Sequence, residues 1–591
     1  MGTTNKGLRA VVLVTGVALA AAACGGSSGT KTTGDKGGGG DTTKTKGVKG
    51  GTLTFLTLEK QFNHVDPQRN YTGEDLAFFG GYLNRSLTAY KLSNDLNTAN
   101  SIQGDLATDT GKSSDGAKTW AFTLKDGGKF QDGSAITCAD IKYGVSRVFA
   151  TDVITDGPQY PVSMFDIPKD AKGNSVYKGP YKTTPAGQAA FDKAVVCSPD
   201  SKTITFHLNK PVGDFNYTTT LLSFSPVQKA MDKGEKYDDA VQSTGPYMIS
   251  SYNKGTEMDL VRNPNWTDDG YRPALPDKIV VKFGLDTSVI DQRLIADSGP
   301  DQQALTLADN VEPSQLAAVF NDPRFEKRRV NDLDPYVRYY AINAKRITNL
   351  KQRQAIVVGL NRAQIRTIAG GSFAGDLADG VIKPNLATDY APTGMFTDLY
   401  GQMVSDNGDP VFAKKLIADS GSPMKTVRFD YPQTPTNDKA AAAVVASEKL
   451  AGITVKPNPI EAGQFYGIVQ DPTKAGDLIA AGWGPDWANA STVIPELFTP
   501  SGGFNLTEAN DPAFTAASDK AKAETDRTKQ ADQWKALDKQ AMLNAWVVPT
   551  RFGRQQRIVG SKVGTQSGKS GQTYFWAPYG SWPYADLYVN P

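Results

Sequence analysis

The chain has 591 residues, with 64 Lys and Arg against 62 Asp and Glu, and only two His. At roughly 100 to 200 residues per domain this is the length of three or four domains, so a small disulfide scaffold is excluded, and the near-balance of charge gives no support to a nucleic-acid-binding surface. His64 and His207 lie far apart in sequence, so neither a metal site nor a cofactor is predicted.

The N-terminus has the pattern of an export signal. Lys6 and Arg9 precede the apolar run 10–23, which at about 14 residues is too short to span roughly 30 Å of hydrocarbon as a helix. Ala21, Ala22 and Ala23 lead into Cys24, and Gly-Gly-Ser follows, which resembles the lipobox of bacterial lipoproteins. We therefore predict a signal peptide over residues 1–23 and lipidation of Cys24. The alternative is cleavage by an ordinary signal peptidase, with Cys24 incidental.

Residues 24–50 are predicted to form a flexible tether. After Cys24 this stretch contains ten Gly and five Lys, no aromatic residue, and Val48 as its single aliphatic residue. Such a composition cannot bury enough apolar surface to fold. The tether would hold the folded body away from the membrane surface.

The folded body then mixes strand and helix patterns. The run at 51–58 is rich in β-formers, helical spacing follows at 75–87, and a second alternating run lies at 120–124. Residues 139–149 predict a helix, capped by Thr137 and Asp140. A further strand is predicted at 203–208, where His207 is interpreted as a partly exposed strand residue.

A βαβ unit is predicted nearer the C-terminus. Residues 425–431 and 453–456 have strand patterns, and an Ala-rich helical pattern covers 438–450 between them. No repeat of 20 to 50 residues is present, which argues against a solenoid or a propeller. Motifs for a P-loop, a dinucleotide site, a nucleophile elbow or a zincin site are absent from the sequence. An enzyme function therefore has no local support.

Four separated segments share motifs with one known family. They are 120–140 (WAFTLKDGGKFQDGSAITCAD), 243–282 with TGPY and RNPNW, 336–365 with a strand leading into an Arg- and Ala-containing helix, and 480–498 with AGWGPDW. In this order they resemble family 5 of the extracytoplasmic solute-binding proteins of ABC importers, the type of the oligopeptide-, dipeptide- and nickel-binding proteins.

The resemblance implies an α/β fold of the periplasmic-binding-protein type (class II, cluster C), with two hinged lobes and an extra domain. It places lobe I in 51–95, 216–330 and 561–591, the extra domain in 96–215, and lobe II in 331–560. The chain would cross between lobes near Tyr336 and again near residue 560. A ligand touching both lobes would favour the closed form, which a membrane permease would then read.

The resemblance also implies a ligand site. In peptide-binding relatives an Asp three residues after a cleft Trp accepts the ligand's α-ammonium, and that pattern falls on Trp483 and Asp486, with Gly482 before them. A carboxylate in a water-poor cleft needs a cationic partner, and Trp supplies an apolar or cation–π wall. The alternative is that residues 484–486 form only a turn and that Trp483 and Trp487 belong to the core.

Two aromatic clusters have open interpretations. Alternation places Tyr336 and Tyr340 on one strand face and Tyr339 on the other, where hinge or core packing is favoured over ligand contact. The stretch 574–588 (YFWAPYGSWPYADLY) suggests a carbohydrate platform, but packing of a C-terminal return to lobe I is favoured.

Cys138 and Cys197 are expected to form a disulfide. Export leads to an oxidising compartment, and lipidation of Cys24 leaves these two as the remaining thiols. Two buried free thiols are the alternative.

The favoured hypothesis is a monomeric, lipid-anchored, non-enzymatic binding protein on the outer face of the cell membrane or in the periplasm. It would capture a small solute, foremost a short peptide, and deliver it to the permease subunits of an ABC importer. The alternatives are a secreted polysaccharide-directed hydrolase and a ligand-sensing lipoprotein of the same fold.

Overall fold

A computed structural model describes residues 46–398 and 400–590. The predicted signal peptide, Cys24 and most of the predicted tether lie outside the described residues. None of the helices in the described part combines the length and the apolar character that crossing a membrane requires.

The helices and strands of the described residues are numbered in chain order. The strands are β1 (Thr52–Leu56), β2 (Thr88–Tyr90), β3 (Ile102–Gly104), β4 (Lys112–Ser114), β5 (Thr119–Thr123), β6 (Val195–Cys197), β7 (Thr203–His207), β8 (Tyr247–Asn253), β9 (Glu257–Arg262), β10 (Lys278–Lys282), β11 (Ala304–Thr306), β12 (Arg329–Ile342), β13 (Gly375–Asp376), β14 (Val427–Pro432), β15 (Val455–Ile460), β16 (Leu478–Trp483), β17 (Val547–Ile558), β18 (Val563–Thr565) and β19 (Leu587–Val589). The α-helices are α1 (Gly73–Tyr82), α2 (Leu96–Ala99), α3 (Cys138–Arg147), α4 (Tyr160–Met164), α5 (Pro185–Ala194), α6 (Phe215–Thr218), α7 (Thr287–Ala296), α8 (Leu316–Phe320), α9 (Leu350–Gly359), α10 (Arg362–Ile368), α11 (Pro410–Asp419), α12 (Pro435–Leu450), α13 (Phe465–Val469), α14 (Ile494–Phe498), α15 (Pro512–Ala523) and α16 (Arg527–Leu543).

Lobe I is the part of the molecule that carries a five-stranded sheet in the order β11-β1-β10-β9-β8. β1 runs parallel to both of its neighbours, and Thr52 pairs with Lys278 far along the chain. Leu53 and Phe55 of β1 are fully buried, and the ring of Phe78 in α1 packs 5.6 Å from that of Phe55. Lobe I is therefore assembled from pieces that are distant in sequence.

The extra domain carries an antiparallel four-stranded sheet in the order β4-β5-β7-β6. α3 packs against this sheet and begins with a capping box, in which Thr137 and Asp140 bond to each other's backbone N–H groups. A disulfide joins Cys138, at the start of α3, to Cys197, at the end of β6, with Cα atoms 5.9 Å apart. The structure thus contains the predicted cysteine pair.

Lobe II carries a six-stranded sheet in the order β13-β17-β12-β16-β14-β15. The predicted βαβ unit is confirmed, because β14 and β15 run parallel and α12 connects them. β12 and β17 are long strands that pair with each other, with an irregularity between Leu333 and Val337. Val559, just after β17, forms an isolated antiparallel β-bridge with Leu305 of lobe I. We propose that the chain crosses between the lobes at this irregularity and again after β17, as the domain boundaries given above suppose.

The remaining predicted elements are present with shifted ends. The helix predicted over 75–87 ends at Tyr82, and beyond it Arg85 leaves the helix to form a buried ion pair with Asp105, at 2.7 Å. His207 lies in β7, where its Nδ1 is 3.2 Å from the hydroxyl of Thr119. The aromatic stretch 574–588 is buried throughout, which confirms core packing and argues against a carbohydrate platform.

A buried ion pair joins the extra domain to lobe I. The side chain of Arg147, in α3, is fully buried, and its Nη2 lies 2.6 Å from Oδ2 of Asp66, which follows β1. Nη1 donates to the other oxygen of Asp66 at 2.8 Å, and Nε lies 3.3 Å from Asp232. The guanidinium also stacks over the ring of Tyr237, 4.8 Å from its centroid. Arg147 therefore holds α3 against the first loop of lobe I.

Glu448 is a buried acid of lobe II whose carboxyl group has no hydrogen-bond partner among the described residues. It lies in α12, is 0% exposed, and both of its carboxyl oxygens are unpaired. Burial raises its pKa well above the ordinary value. A carboxyl group with a raised folded pKa takes up a proton on folding, so its contribution to stability is greatest below about pH 4.3 and is lost as the pH rises toward the folded pKa.

Replacing Glu448 with Gln is expected to raise the free energy of unfolding at pH 7 by roughly 1 to 3 kcal/mol, because proton uptake is no longer required. The gain should shrink as the pH is lowered toward 4.5. Urea unfolding from pH 5 to 8 measures both effects. The exposed Glu326, changed to Gln, is the matched control and should leave the free energy of unfolding nearly unchanged, because its side chain is in solvent. A gain that does not vary with pH would contradict the assignment of a protonated Glu448.

Candidate functional site

Asp486 lies where the two lobes and the extra domain meet. It follows β16 of lobe II, and its Oδ1 accepts a hydrogen bond from the hydroxyl of Tyr71, in lobe I just before α1, at 2.9 Å. Its Oδ2 accepts a hydrogen bond from the hydroxyl of Tyr160, which begins α4 of the extra domain. One carboxylate of lobe II therefore accepts hydrogen bonds from both lobe I and the extra domain.

The environment of Asp486 disfavours its charged form. Burial raises its pKa to about 6, and the hydrogen bonds from Tyr160 and Tyr71 offset only part of that effect. Burial and the charge of Asp486 raise the pKa of Tyr71 and of Tyr160, so both hydroxyls remain donors at neutral pH. A carboxylate has about four acceptor positions, and two of them here remain for a ligand. A cation at this position would stabilise the charged form of Asp486.

The turn after Asp486 makes further contacts across the cleft. The indole N–H of Trp487 donates to Oδ2 of the buried Asp214 at 2.7 Å, and the ring of Trp487 lies 4.8 Å from that of Tyr160. The hydroxyl of Ser491 also donates to Asp214. Asp214 and Tyr160 belong to the extra domain, so these contacts join lobe II to the extra domain.

Trp483 has its contacts within lobe II. Its indole N–H donates to the carbonyl of Thr492 at 2.8 Å, and its ring packs 5.0 Å from that of Phe504. The hydroxyl of the same Thr492 accepts from the backbone N–H of Asp486 at 3.1 Å. Trp483 therefore shapes the turn that carries Asp486, and its role as a wall of the ligand site stays a prediction.

Two glycines leave room for side chains of β12. Gly482 pairs with Arg338, and a Cβ atom on Gly482 would lie 2.5 Å from the Nη1 of that arginine. A Cβ atom on Gly484 would lie 3.0 Å from the ring of Tyr336, which is 37% exposed. Any larger residue at either position would displace these side chains. Gly482 therefore lies against Arg338, and its role in binding a ligand stays a prediction.

Sequence reasoning missed the partners of Asp486. Tyr71 and Tyr160 lie in segments with no motif that marks them, and so does Asp214, the partner of Trp487. The sequence predicts Trp487 only as a core residue. Trp487 is indeed buried, but its indole N–H pairs across the cleft. The one sequence feature near them is that Tyr71 precedes the helix predicted over 75–87. A Tyr in that position is too common to indicate a site. The described residues contain no group of three or more His, Cys, Asp or Glu side chains suited to hold a metal ion.

Two α/β lobes that meet around a polar cleft define a bilobed solute-binding protein. The family model described as bacterial extracellular solute-binding proteins, family 5 (middle part), matches residues 101–505. The chain therefore belongs to this family of extracellular solute-binding proteins, and it is a binding protein rather than an enzyme. The comparisons do not favour the polysaccharide-directed hydrolase considered above.

Named relatives are similar over most of the chain. The probable D,D-dipeptide-binding periplasmic protein DdpA of Escherichia coli (strain K12) is 27% identical over 416 residues, which are 68% of this chain and 69% of that protein. The dipeptide-binding protein of Lactococcus lactis subsp. cremoris (strain MG1363) is 23% identical over 494 residues, or 78% of this chain and 84% of that protein.

Solved structures share the fold. The clavulanic acid biosynthesis oligopeptide binding protein 2 superimposes with a TM-score of 0.82 at 26% identity, covering 93% of this chain and 97% of that one. The unliganded open form of the periplasmic murein tripeptide binding protein MppA has a TM-score of 0.70 at 18% identity and covers 92% and 98%. The two-lobe α/β fold inferred from sequence is confirmed.

Proposed function

We propose that this protein captures a short peptide between its lobes and delivers it to the permease of an ABC importer without chemical change. The observation that carries the proposal is Asp486, a carboxylate held by Tyr71 and Tyr160 from across the cleft. The names of the relatives, dipeptide- and oligopeptide-binding proteins, support the ligand class.

In this proposal the ligand's α-ammonium binds at the carboxylate of Asp486. Its charge compensates a carboxylate that burial has destabilised, and charge-assisted hydrogen bonds are stronger than neutral ones. Because Tyr71 and Tyr160 reach Asp486 only when the lobes meet, a ligand bound there favours the closed form. The permease would then receive the ligand from a monomeric closed protein.

The proposal is tested by identifying a ligand and following its effect. Native mass spectrometry of freshly purified full chain should show a retained peptide mass that denaturation releases. The released peptide, added back, should raise the melting temperature without being consumed, since a ligand bound only to the folded state stabilises it. Cleavage of the peptide during the incubation, or no stabilisation by any peptide, would contradict the proposed function.

We also propose that the chain is exported and anchored through lipid on Cys24, as its lipobox-like sequence supports. A single acyl chain anchors only marginally, whereas two or more hold a protein stably. The protein would then work on the outer face of the cell membrane.

Changing Cys24 to Ser is expected to release the protein from the membrane fraction into the medium or periplasm, because no acyl chain can be attached. Fractionation followed by immunoblotting measures the release. Ser27→Ala, three residues further on, is the control and should leave the protein with the membrane. A Cys24→Ser variant that still sediments with the membrane would contradict lipid anchoring at this position.

A further inference from the structure

A second site lies in lobe II, and Gly482 at the end of β16 forms part of its wall. It is a cavity of about 330 Å³ between the strands β12, β16 and β17 and the helices α10 and α12. Its volume falls at the lower end of the range typical of ligand pockets. The residues that give it its chemistry are Arg338, Arg366, Asn437, Tyr466, Gly482 and Arg551.

Three guanidinium groups line this cavity, and no Asp or Glu does. Arg338 and Arg551 are direct cross-strand partners on β12 and β17, an arrangement of like charges that is unfavourable on its own. Arg366 reaches the cavity from α10. Its Nε, together with Nε and Nη1 of Arg551, is buried without a hydrogen-bond partner among the described residues.

One acid close to this cluster, Asp334, offsets only part of its charge. Asp334 lies 3.8 Å from Arg338, but it is already paired with the buried Lys383 at 2.9 Å. Burial and the charge of Arg338 both lower the pKa of Arg551. Unpaired buried donors on charged groups are costly unless another group satisfies them. The cavity is therefore suited to an anion supplied from outside the chain.

We infer that the arginine cavity (Arg338, Arg366 and Arg551) selects ligands that end in two adjacent negative charges, such as the two carboxylates of a C-terminal Asp or Glu residue or a phosphate group. The inference rests on the proposed peptide-binding function. One carboxylate offsets one guanidinium, so a singly charged end leaves most of the cluster unpaired, whereas a dianion engages two or three guanidiniums, in bidentate geometry where possible.

The sequence separation gives an upper limit to the distance between the cavity and Asp486. Gly482, which lines the cavity, and Asp486 are four residues apart, so they lie no more than about 14 Å from each other. An extended peptide of three or four residues covers that distance. A tripeptide or tetrapeptide with its ammonium at Asp486 is therefore long enough to reach the arginine cavity with its C-terminal residue.

Calorimetric titration of the full chain with matched peptides tests the inference. Ala-Ala-Glu is expected to bind at least about tenfold more tightly than Ala-Ala-Gln, since charged hydrogen bonds are lost with the second carboxylate. The phosphoserine peptide Ala-Ala-pSer, with an amidated C-terminus, distinguishes the two kinds of dianion. Tighter binding than that of Ala-Ala-Glu would show that the cavity selects a phosphate group. Weaker binding would show that it selects paired carboxylates.

The variants Arg551→Gln and Arg366→Gln should each reduce the preference for Ala-Ala-Glu over Ala-Ala-Gln to about threefold or less. Two variants are used so that misfolding of one leaves the other informative. Arg324→Gln, at a residue 81% exposed in lobe I, is the control and should keep the full preference. Equal affinity of wild type for the two peptides would overturn the inference while leaving the peptide function intact. Failure to bind any peptide would reject both.

Discussion

Replacing Asp486 with Asn is expected to weaken the binding of a peptide with a free N-terminus by about 2 to 5 kcal/mol, roughly 30-fold to several thousand-fold. The neutral amide cannot compensate the ligand's ammonium, which would be left in a site closed off by Tyr71 and Tyr160. Calorimetric titration of wild type and variant with the peptide identified by mass spectrometry measures the loss.

An N-acetylated form of the same peptide provides the control ligand. It carries no ammonium, so it should bind weakly to wild type and lose little more in Asp486→Asn. The matched control variant is Asp532→Asn, which removes an exposed carboxylate of α16 and should not change affinity. Equal affinity in all combinations of protein and peptide would reject the ammonium role and favour a simple turn at residues 484–486.

The pH dependence of binding follows from the same carboxyl group. Burial raises the pKa of Asp486 to about 6 in the ligand-free protein, so its charge is largely lost below that pH and affinity for an ammonium ligand should decline from pH 7 to pH 5. Because the folded pKa lies above the unfolded value of about 3.9, Asp486 stabilises the ligand-free fold below pH 4, and this contribution is lost as the pH rises through 6. Asp486→Asn should therefore leave the ligand-free protein as stable as wild type, or slightly more stable, at pH 7.

Replacing Arg147 with Met is expected to lower the free energy of unfolding by about 3 to 5 kcal/mol. The substitution keeps much of the side-chain volume but leaves the buried carboxylate of Asp66 without its bidentate partner. It also removes the contact with Asp232 and the stacking on Tyr237. Urea unfolding, monitored by tryptophan fluorescence, measures the loss.

The exposed ion pair of Arg324 and Asp322, with the arginine 81% exposed, supplies the control. Arg324→Met should leave the free energy of unfolding nearly unchanged, since exposed pairs contribute little. The double variant Arg147→Met with Asp66→Asn should be more stable than Arg147→Met alone, because the uncompensated buried charge is gone. A loss in Arg147→Met no larger than in Arg324→Met would contradict the role of Arg147 in docking the extra domain.

The sequence by itself determined the features that depend on local pattern or on the order of motifs. Alternation predicts β5 and β7, and the α3 cap is visible as Thr137 and Asp140, because capping requires residues three apart. The βαβ unit of β14, α12 and β15 follows from the pattern of short apolar runs around an Ala-rich helix. Four motifs in a family's order were enough to predict the two-lobe fold, and Asp486 could be nominated within them.

Only the tertiary structure decided what surrounds Asp486. Tyr71 and Tyr160 are separated from it by 415 and 326 residues, and they approach it only because the lobes and the extra domain close on one another. The arginine cavity likewise depends on the register that sets Arg338 beside Arg551 on β12 and β17. Periodicity predicts which face of an element is buried, but the partner that a polar side chain meets depends on strand register and on lobe closure, which no local pattern records.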